Sequence, residues 1–540
     1  MLRSRTTFSA CAAALLAGLC ASCVTDPDGA PTGASTEIGD ISDSALTAAA
    51  DHAAFALTED GLVRGSETAA MRTFLGIPYA AAPVGDLRWR PPQRHSPWAA
   101  VRDATQLAPH CPQIAGPFGR ASETEDCLFL NVYTPRDLGL HPVMVWIHGG
   151  ALISGESDDY DASRSVEQGD VTVVTINYRL GALGFTAHPA LTAESPDHAS
   201  GNYGLMDQQA ALRWVQHNIL LFGGDPTRVT IFGESAGGLS VHSQLASPGA
   251  HGLFQRAIVE SGAYELTQPD LATGELAGAA FAAAAGCADQ TAACLRGLPV
   301  AQILAHQANG TGGATPVVDH KVLSQSIGDA LASGQFNRVP VIEGTNHDEW
   351  RLFVAISELQ AGPTTAATYP AAIAATLGIP AELVPVFVAQ YPLASFASPD
   401  LALGALGSDG IFVCNARFAA QQLAHFVPTF AYEFNDSRAP QRFLPPVSFP
   451  YGAAHASEIQ YLFTLPVAVP APALDASQQQ LSRAMIDYWT TFARTGAPGS
   501  HRTPAWPAFA DTFQSLVPPA PQPETSFAAD HHCAFWDSLR

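Results

Sequence analysis

Gly233-Glu234-Ser235-Ala236-Gly237 follows directly on the apolar run Val229-Thr230-Ile231-Phe232. A serine in a G-x-S-x-G pentapeptide at the end of a buried strand sits on a sharp strand-to-helix turn, with its Oγ pushed out of the sheet. Gly233 and Gly237 are needed because larger side chains would collide where strand and helix meet. The residues after the turn, Gly238-Leu239-Ser240-Val241-His242-Ser243-Gln244-Leu245, read as the start of a helix. That helix would aim its unsatisfied N–H groups at the same spot. A nucleophile beside an anion site suits acyl transfer. The pentapeptide alone also fits an ordinary surface turn, so the remaining parts must be found elsewhere in the chain.

A serine nucleophile needs a base, and the base needs an orienting acid. On an α/β-hydrolase sheet these follow in the order Ser, Asp or Glu, His. Val339-Pro340-Val341-Ile342-Glu343-Gly344-Thr345 reads as a strand running into the loop Asn346-His347-Asp348-Glu349, which offers two carboxylates. Gly452-Ala453-Ala454-His455-Ala456 places a histidine in a loop of small residues further on. With 18 histidines and 49 acidic residues in the chain, each of these taken singly also fits a structural role. For the developing oxyanion, Trp146-Ile147-His148-Gly149-Gly150-Ala151-Leu152 supplies a glycine-rich loop. The N–H groups of Gly150, Ala151 and Ala236 are the expected donors. The same loop is not expected to cradle phosphate, because no Lys-Ser/Thr pair follows it.

These loops require a sheet to position them. Pro142–Ile147 and Val171–Tyr178 are nearly continuous β-prone runs, as strands buried on both faces should be, and Met206–Asn218 has helical periodicity. Strand, helix, strand, serine turn is the order of a doubly wound α/β sheet. The Ala-rich stretches Leu271–Ala285 and Ala371–Gln390 are expected to be helical insertions capping it. No linker interrupts the body, so residues 53–540 are expected to form a single catalytic domain.

The chain has 540 residues, 26 of them Lys or Arg and 49 Asp or Glu, for a formal charge of −23. Such a balance argues against binding nucleic acid or an anionic membrane by charge. Residues 1–22 read as a signal peptide, with Arg3 and Arg5 ahead of the apolar stretch Phe8–Leu19. Leu19-Cys20-Ala21-Ser22-Cys23 resembles a bacterial lipoprotein signal with Cys23 lipidated. Leu19 stands one place early for that pattern, and plain cleavage after Ala21 or Ser22 is the alternative. Residues 23–52 carry no apolar periodicity and read as a flexible tether. The expected location is outside a bacterial cytoplasm: periplasmic, lipid-anchored at the outer membrane or secreted. Six cysteines remain in the body, an even number that favours disulfides in an exported chain. Fifteen pairings are open. Cys111/Cys127 and Cys287/Cys294 are natural local loops, which would leave Cys414 with Cys533. No Cys-x-x-Cys among these six suggests zinc.

Taken together, the motifs resemble the type-B carboxylesterase/cholinesterase family, in particular its bacterial para-nitrobenzyl-esterase-like members, over roughly Leu62 to Trp536. Phe74-Leu75-Gly76-Ile77-Pro78-Tyr79-Ala80, Leu87-Arg88-Trp89 and Glu125-Asp126-Cys127-Leu128-Phe129-Leu130-Asn131 are similar to its signatures. Gly201-Asn202-Tyr203-Gly204, Phe222-Gly223-Gly224-Asp225-Pro226 and the serine turn then match in order. The resemblance implies the α/β-hydrolase fold: a central, mostly parallel sheet flanked by helices, with helical cap insertions. It implies a Ser235–Glu349–His455 triad, with Glu349 rather than Asp348 as the acid. It further implies that Ser261 supports the acid, that Glu234 has a place beside the nucleophile, and that the cysteines pair as above.

Three departures bear on specificity. Ala151 stands where a third glycine is usual, Trp350 replaces the glycine after the acid, and the Cys111–Cys127 loop has no tryptophan to hold a quaternary ammonium. A cholinesterase is therefore not the expectation. The expectation is a serine carboxylesterase acting on small-molecule esters, with no metal or organic cofactor and with room for bulky or tertiary alcohols. A lipase, another specialised ester or carbamate hydrolase, and a non-catalytic binding protein on the same fold are the rival readings.

Overall fold

A computed structural model describes residues 53–137, 139–307, 314–466 and 469–540. The expected leader and tether, with Cys23, lie outside the described residues. The strands are β1 (Ala53–Thr58), β2 (Gly61–Glu67), β3 (Met71–Pro78), β4 (Arg102–Asp103), β5 (Phe129–Pro135), β6 (His141–Ile147) and β7 (Thr172–Ile176). They continue as β8 (Gly224–Glu234), β9 (Arg256–Glu260), β10 (Val341–Asn346), β11 (Thr429–Phe434), β12 (Phe513–Leu516) and β13 (Gln522–Glu524). All belong to one sheet in the order β1-β2-β3-β5-β7-β6-β8-β9-β10-β11-β12-β13, with β4 beside β2. From β7 to β12 every neighbouring pair is parallel, and antiparallel strands flank this run at both ends.

Side-chain alternation explains the two-sided burial. In β6, Val143, Val145 and Ile147 enter one apolar layer while Met144 and Trp146 enter the other. In β9, Ala257 and Val259 face the first layer and Ile258 the second. The first layer is covered by helices α1 (Tyr203–Asn218) and α2 (Ala236–Ala246), through residues such as Leu212, Val215, Leu239 and Leu245. The second is covered by α3 (Ala476–Thr495), through Leu481, Met485, Trp489 and Phe492. This is the expected α/β-hydrolase architecture. The expected Ala-rich caps are helical over Leu271–Ala284, but the second one splits into Tyr369–Leu377 and Val384–Gln390. Gly378, at φ 60°, and Pro380 break it.

β7 lies on one side of β6, whereas β8 and its successors run out on the other. Loops leaving β6 and β8 therefore diverge above their C-terminal ends and open a crevice there, the usual ligand position in such sheets.

Among the described residues three disulfides form: Cys111–Cys127, Cys287–Cys294 and Cys414–Cys533. The last closes a separation of 119 residues and ties the C-terminal segment to the helix Cys414–Ala424. Loops of that size lose the most unfolded-state freedom. Replacing Cys414 and Cys533 together by serine is expected to cost about 2–4 kcal/mol, visible as a lower thermal midpoint in scanning calorimetry. An unchanged midpoint would contradict the stapling role.

Candidate active site

Ser235 sits between the last residue of β8 and the first of α2, at φ 56° and ψ −121°. Its N–H donates to the Glu260 carbonyl of β9 at 2.9 Å, which braces the strained turn. A Cβ on Gly237 would lie 1.9 Å from the Ile147 carbonyl oxygen, and one on Gly233 2.5 Å from it. Only glycine lets β6 approach the elbow so closely.

His455 is buried in the loop before Ile459–Leu462. Its Nδ1 faces Glu349 Oε2 at 2.6 Å. The other Glu349 oxygen, Oε1, accepts from the Thr345 hydroxyl at 2.9 Å and from the Asn346 N–H at 2.8 Å. Asp348 turns elsewhere. Its carboxylate accepts from the Ala453 N–H at 3.0 Å and pairs with Arg351 at 2.8 Å, so it ties the histidine loop by its backbone. Among the described residues His455 Nε2 makes no hydrogen bond, and it lies 3.2 Å from Glu234 Oε1, at the elbow.

The β6 loop carries Gly150 at φ 96°, Ala151 at φ 55° and Leu152 at φ 60°. Three successive left-handed residues turn the backbone back over the β8 end. A Cβ on Gly149 would stand 3.1 Å from the Ser235 Cβ, so this loop lies against Ser235. Among the described residues the N–H groups of Gly150, Ala151 and Ala236 donate to no protein acceptor. For Ala236 this follows from its position as the first residue of α2.

An acidic chamber lies beneath. Glu234 and Glu260 end β8 and β9 in register. Burial, then the charges of Glu349 and Glu260, holds Glu234 well above the carboxylate range. Burial pushes Glu260 to about 8, although it accepts from Trp489 Nε1 at 2.8 Å. Glu458, three residues after the histidine, is raised in the same way, and accepts from Asn346 Nδ2 at 2.5 Å. These groups favour their neutral forms.

An aromatic wall faces the imidazole. Phe353 and Phe412 have ring centroids 5.3 and 4.9 Å from His455, and Trp350 stacks behind Phe353 at 4.5 Å. Phe412 is placed by a turn of π-helix, Ser408–Val413, whose Ser408 hydroxyl accepts the Trp350 N–H at 2.9 Å.

The carboxylesterase family profile matches residues 52–536. The chain belongs to the carboxylesterase family. As a carboxylesterase it hydrolyses carboxylic esters of small molecules. It is 38% identical over 500 residues to the acylcarnitine hydrolase of Mus musculus, covering 85% of this chain and 86% of that one. It is 36% identical over 477 residues to the fumonisin B1 esterase of Sphingopyxis macrogoltabida, covering 84% of each. It is 34% identical over 521 residues to the cocaine esterase of Homo sapiens, covering 89% and 90%.

Two expectations for this carboxylesterase need correction or refinement. Ser261 is buried at φ 53° and its hydroxyl has no hydrogen-bond partner among the described residues, so it makes no hydrogen bond to Glu349. Thr345 and Asn346 do so instead, because the acid loop folds back on the end of its own strand. Trp350 is 2% exposed and backs the aromatic wall without forming its surface. Gly407 makes room for it: a Cβ there would fall 2.2 Å from the indole. Asn346 and Glu458 were the residues that motif reading passed over. Asn346 opens the acid loop and Glu458 lies three residues after His455, but their partnership spans 112 positions and leaves no local pattern.

Proposed function

We propose that this carboxylesterase works through an acyl-enzyme on Ser235. His455 Nε2 takes the Ser235 Oγ proton as the oxygen adds to the ester carbonyl, and Glu349 steadies the resulting imidazolium. The N–H groups of Gly150, Ala151 and Ala236 receive the oxyanion. The carbonyl re-forms, and the alcohol leaves with the proton from His455. Water then gives a proton to the same nitrogen as it attacks the acyl carbon, and collapse frees the acid while His455 returns that proton to the Ser235 Oγ. The observation that carries this reading is the 2.6 Å contact from His455 Nδ1 to Glu349, with Nε2 unpartnered at the elbow. A neutral Glu234 suits it, since a charged one would trap the imidazolium as an ion pair.

The relatives' names span acylcarnitine, fumonisin and cocaine, so likeness alone does not select the substrate. The apolar wall of Phe353 and Phe412 favours a compact apolar acyl group. Turnover across p-nitrophenyl esters from acetate to palmitate tests this. Fastest turnover on short chains is expected. A rate that climbs with the longest chains above their solubility limit would favour a lipase instead.

The left-handed loop after β6 supports a second substrate reading, room for tertiary alcohols. Wild-type enzyme is expected to cleave tert-butyl acetate. Ala151→Gly, which removes a methyl from a residue at positive φ, is expected to raise that rate several-fold. No turnover of tert-butyl acetate by an enzyme that cleaves p-nitrophenyl acetate would refute it.

One catalytic domain over residues 53–540, and export from a bacterial cell with Cys23 lipidated or the chain freely secreted, belong to the same proposal. Three cysteine pairs support an oxidising compartment.

A further inference from the structure

On the far side of the acid loop, three side chains from three separate elements meet at one carboxylate oxygen. His347 Nδ1, from the loop after β10, lies 2.9 Å from Glu433 Oε1, and His531 Nε2, from the C-terminal segment, lies 2.6 Å from the same atom. All three ligand atoms fall within 4.8 Å of one another. We propose that His347, Glu433 and His531 form a binding site for one divalent transition-metal ion of the zinc class.

Two imidazole nitrogens and a carboxylate oxygen are the donor set that zinc and its neighbours take. The outer contacts are those of a metal site as well. A ligating histidine almost always gives its second ring N–H to a carboxylate, which fixes the tautomer. His531 Nδ1 faces Asp409 Oδ1 at 2.6 Å. Asp409 is held in turn by the Tyr391 hydroxyl at 2.7 Å, and Tyr391 by Trp536 Nε1 at 2.7 Å. The Cys414–Cys533 disulfide clamps the segments that carry Asp409 and His531. The Glu524 carboxyl lies beside Glu433. Entry is past His347, whose side chain is 36% exposed while those of Glu433 and His531 are 1% and 4%.

Without metal, hydrogen bonds hold the three side chains together. Burial opposes charge on His531, but Asp409 and Glu433 outweigh it and raise the imidazole to about 10. Bonds of about 2.0–2.2 Å to a central ion require the ligand atoms to part by roughly half an ångström, a movement within side-chain reach.

Two other groupings of acids with histidine are weaker. Glu156 and Asp158, beside His110, are already bridged by Arg120. Asp137 and Asp170, around His141, are exposed.

The test is chelator treatment of the purified full chain, followed by titration with Co²⁺ read by visible absorption and with Zn²⁺ read by calorimetry and thermal midpoint. One equivalent per chain is expected, with the intense absorption of low-symmetry Co²⁺ and a raised midpoint. His347→Ala, at a partly exposed position, should abolish the spectrum. Asp409→Asn should weaken affinity roughly 10–100-fold. His141→Ala should change nothing. Absence of stoichiometric uptake, uptake unaltered by His347→Ala, or uptake lost with His141→Ala would each overturn the assignment and leave the cluster as a proton-bridged clamp.

Discussion

Ser235→Ala is expected to lower kcat by about 10⁶-fold, the scale on which other serine triads fail when the nucleophile is removed. The substitution deletes one oxygen at a half-buried position and leaves the fold intact. The elbow is built by Gly233, Gly237 and the 2.9 Å bond from the Ser235 N–H to Glu260, and none of these uses the side chain. The oxyanion donors also remain, so residual hydrolysis above the rate in water should persist. Substrate affinity should change little. The check is steady-state kinetics on p-nitrophenyl acetate, with the thermal midpoint measured in parallel. A variant that is folded and within tenfold of wild type would rule out Ser235 as the nucleophile.

Glu349→Gln should cost about 10⁴-fold in kcat, and the reason is the tautomer. Oε1 accepts two hydrogen bonds, from Thr345 and Asn346. A glutamine must keep its carbonyl oxygen toward those two donors, which leaves its NH₂ facing His455 Nδ1. That nitrogen then has to accept, the ring proton moves to Nε2, and the base faces Ser235 already protonated. The negative charge that steadies the imidazolium is lost as well. Glu349→Asp keeps the charge and should recover part of the rate. A glutamine variant with less than a tenfold loss would show that the contact at 2.6 Å serves structure alone.

What the sequence made legible was what local backbone demands encode. Gly233, Ser235 and Gly237 are neighbours because one sharp turn requires them. The Gly149–Gly150–Ala151 run was readable because a loop returning over a strand end needs left-handed residues. The unbroken apolar run Val143–Ile147 announced a strand buried on both faces. Asp348 and Glu349 lie side by side, and residue types alone left them equal; the family resemblance favoured Glu349, and the fold separates them by aiming one at the ring and the other at the histidine loop's backbone.

What stayed hidden depends on long-range meetings. Glu458 meets Asn346 across 112 positions and His531 meets Asp409 across 122. Neither pair leaves a periodicity or spacing to find. Ser261 was the opposite failure: a residue in a promising motif, carried by the turn after β9 to a place where its hydroxyl meets nothing. The aromatic wall was equally illegible, because Phe412 reaches His455 only through a π-helical turn that composition does not announce.

The most direct test of the central claim is fluorophosphonate labelling of the purified enzyme, with the modified residue mapped by peptide mass spectrometry. A single adduct on Ser235 is predicted, formed in step with loss of esterase activity and suppressed in His455→Ala. Full activity without an adduct, or an adduct on any other residue, would contradict the account.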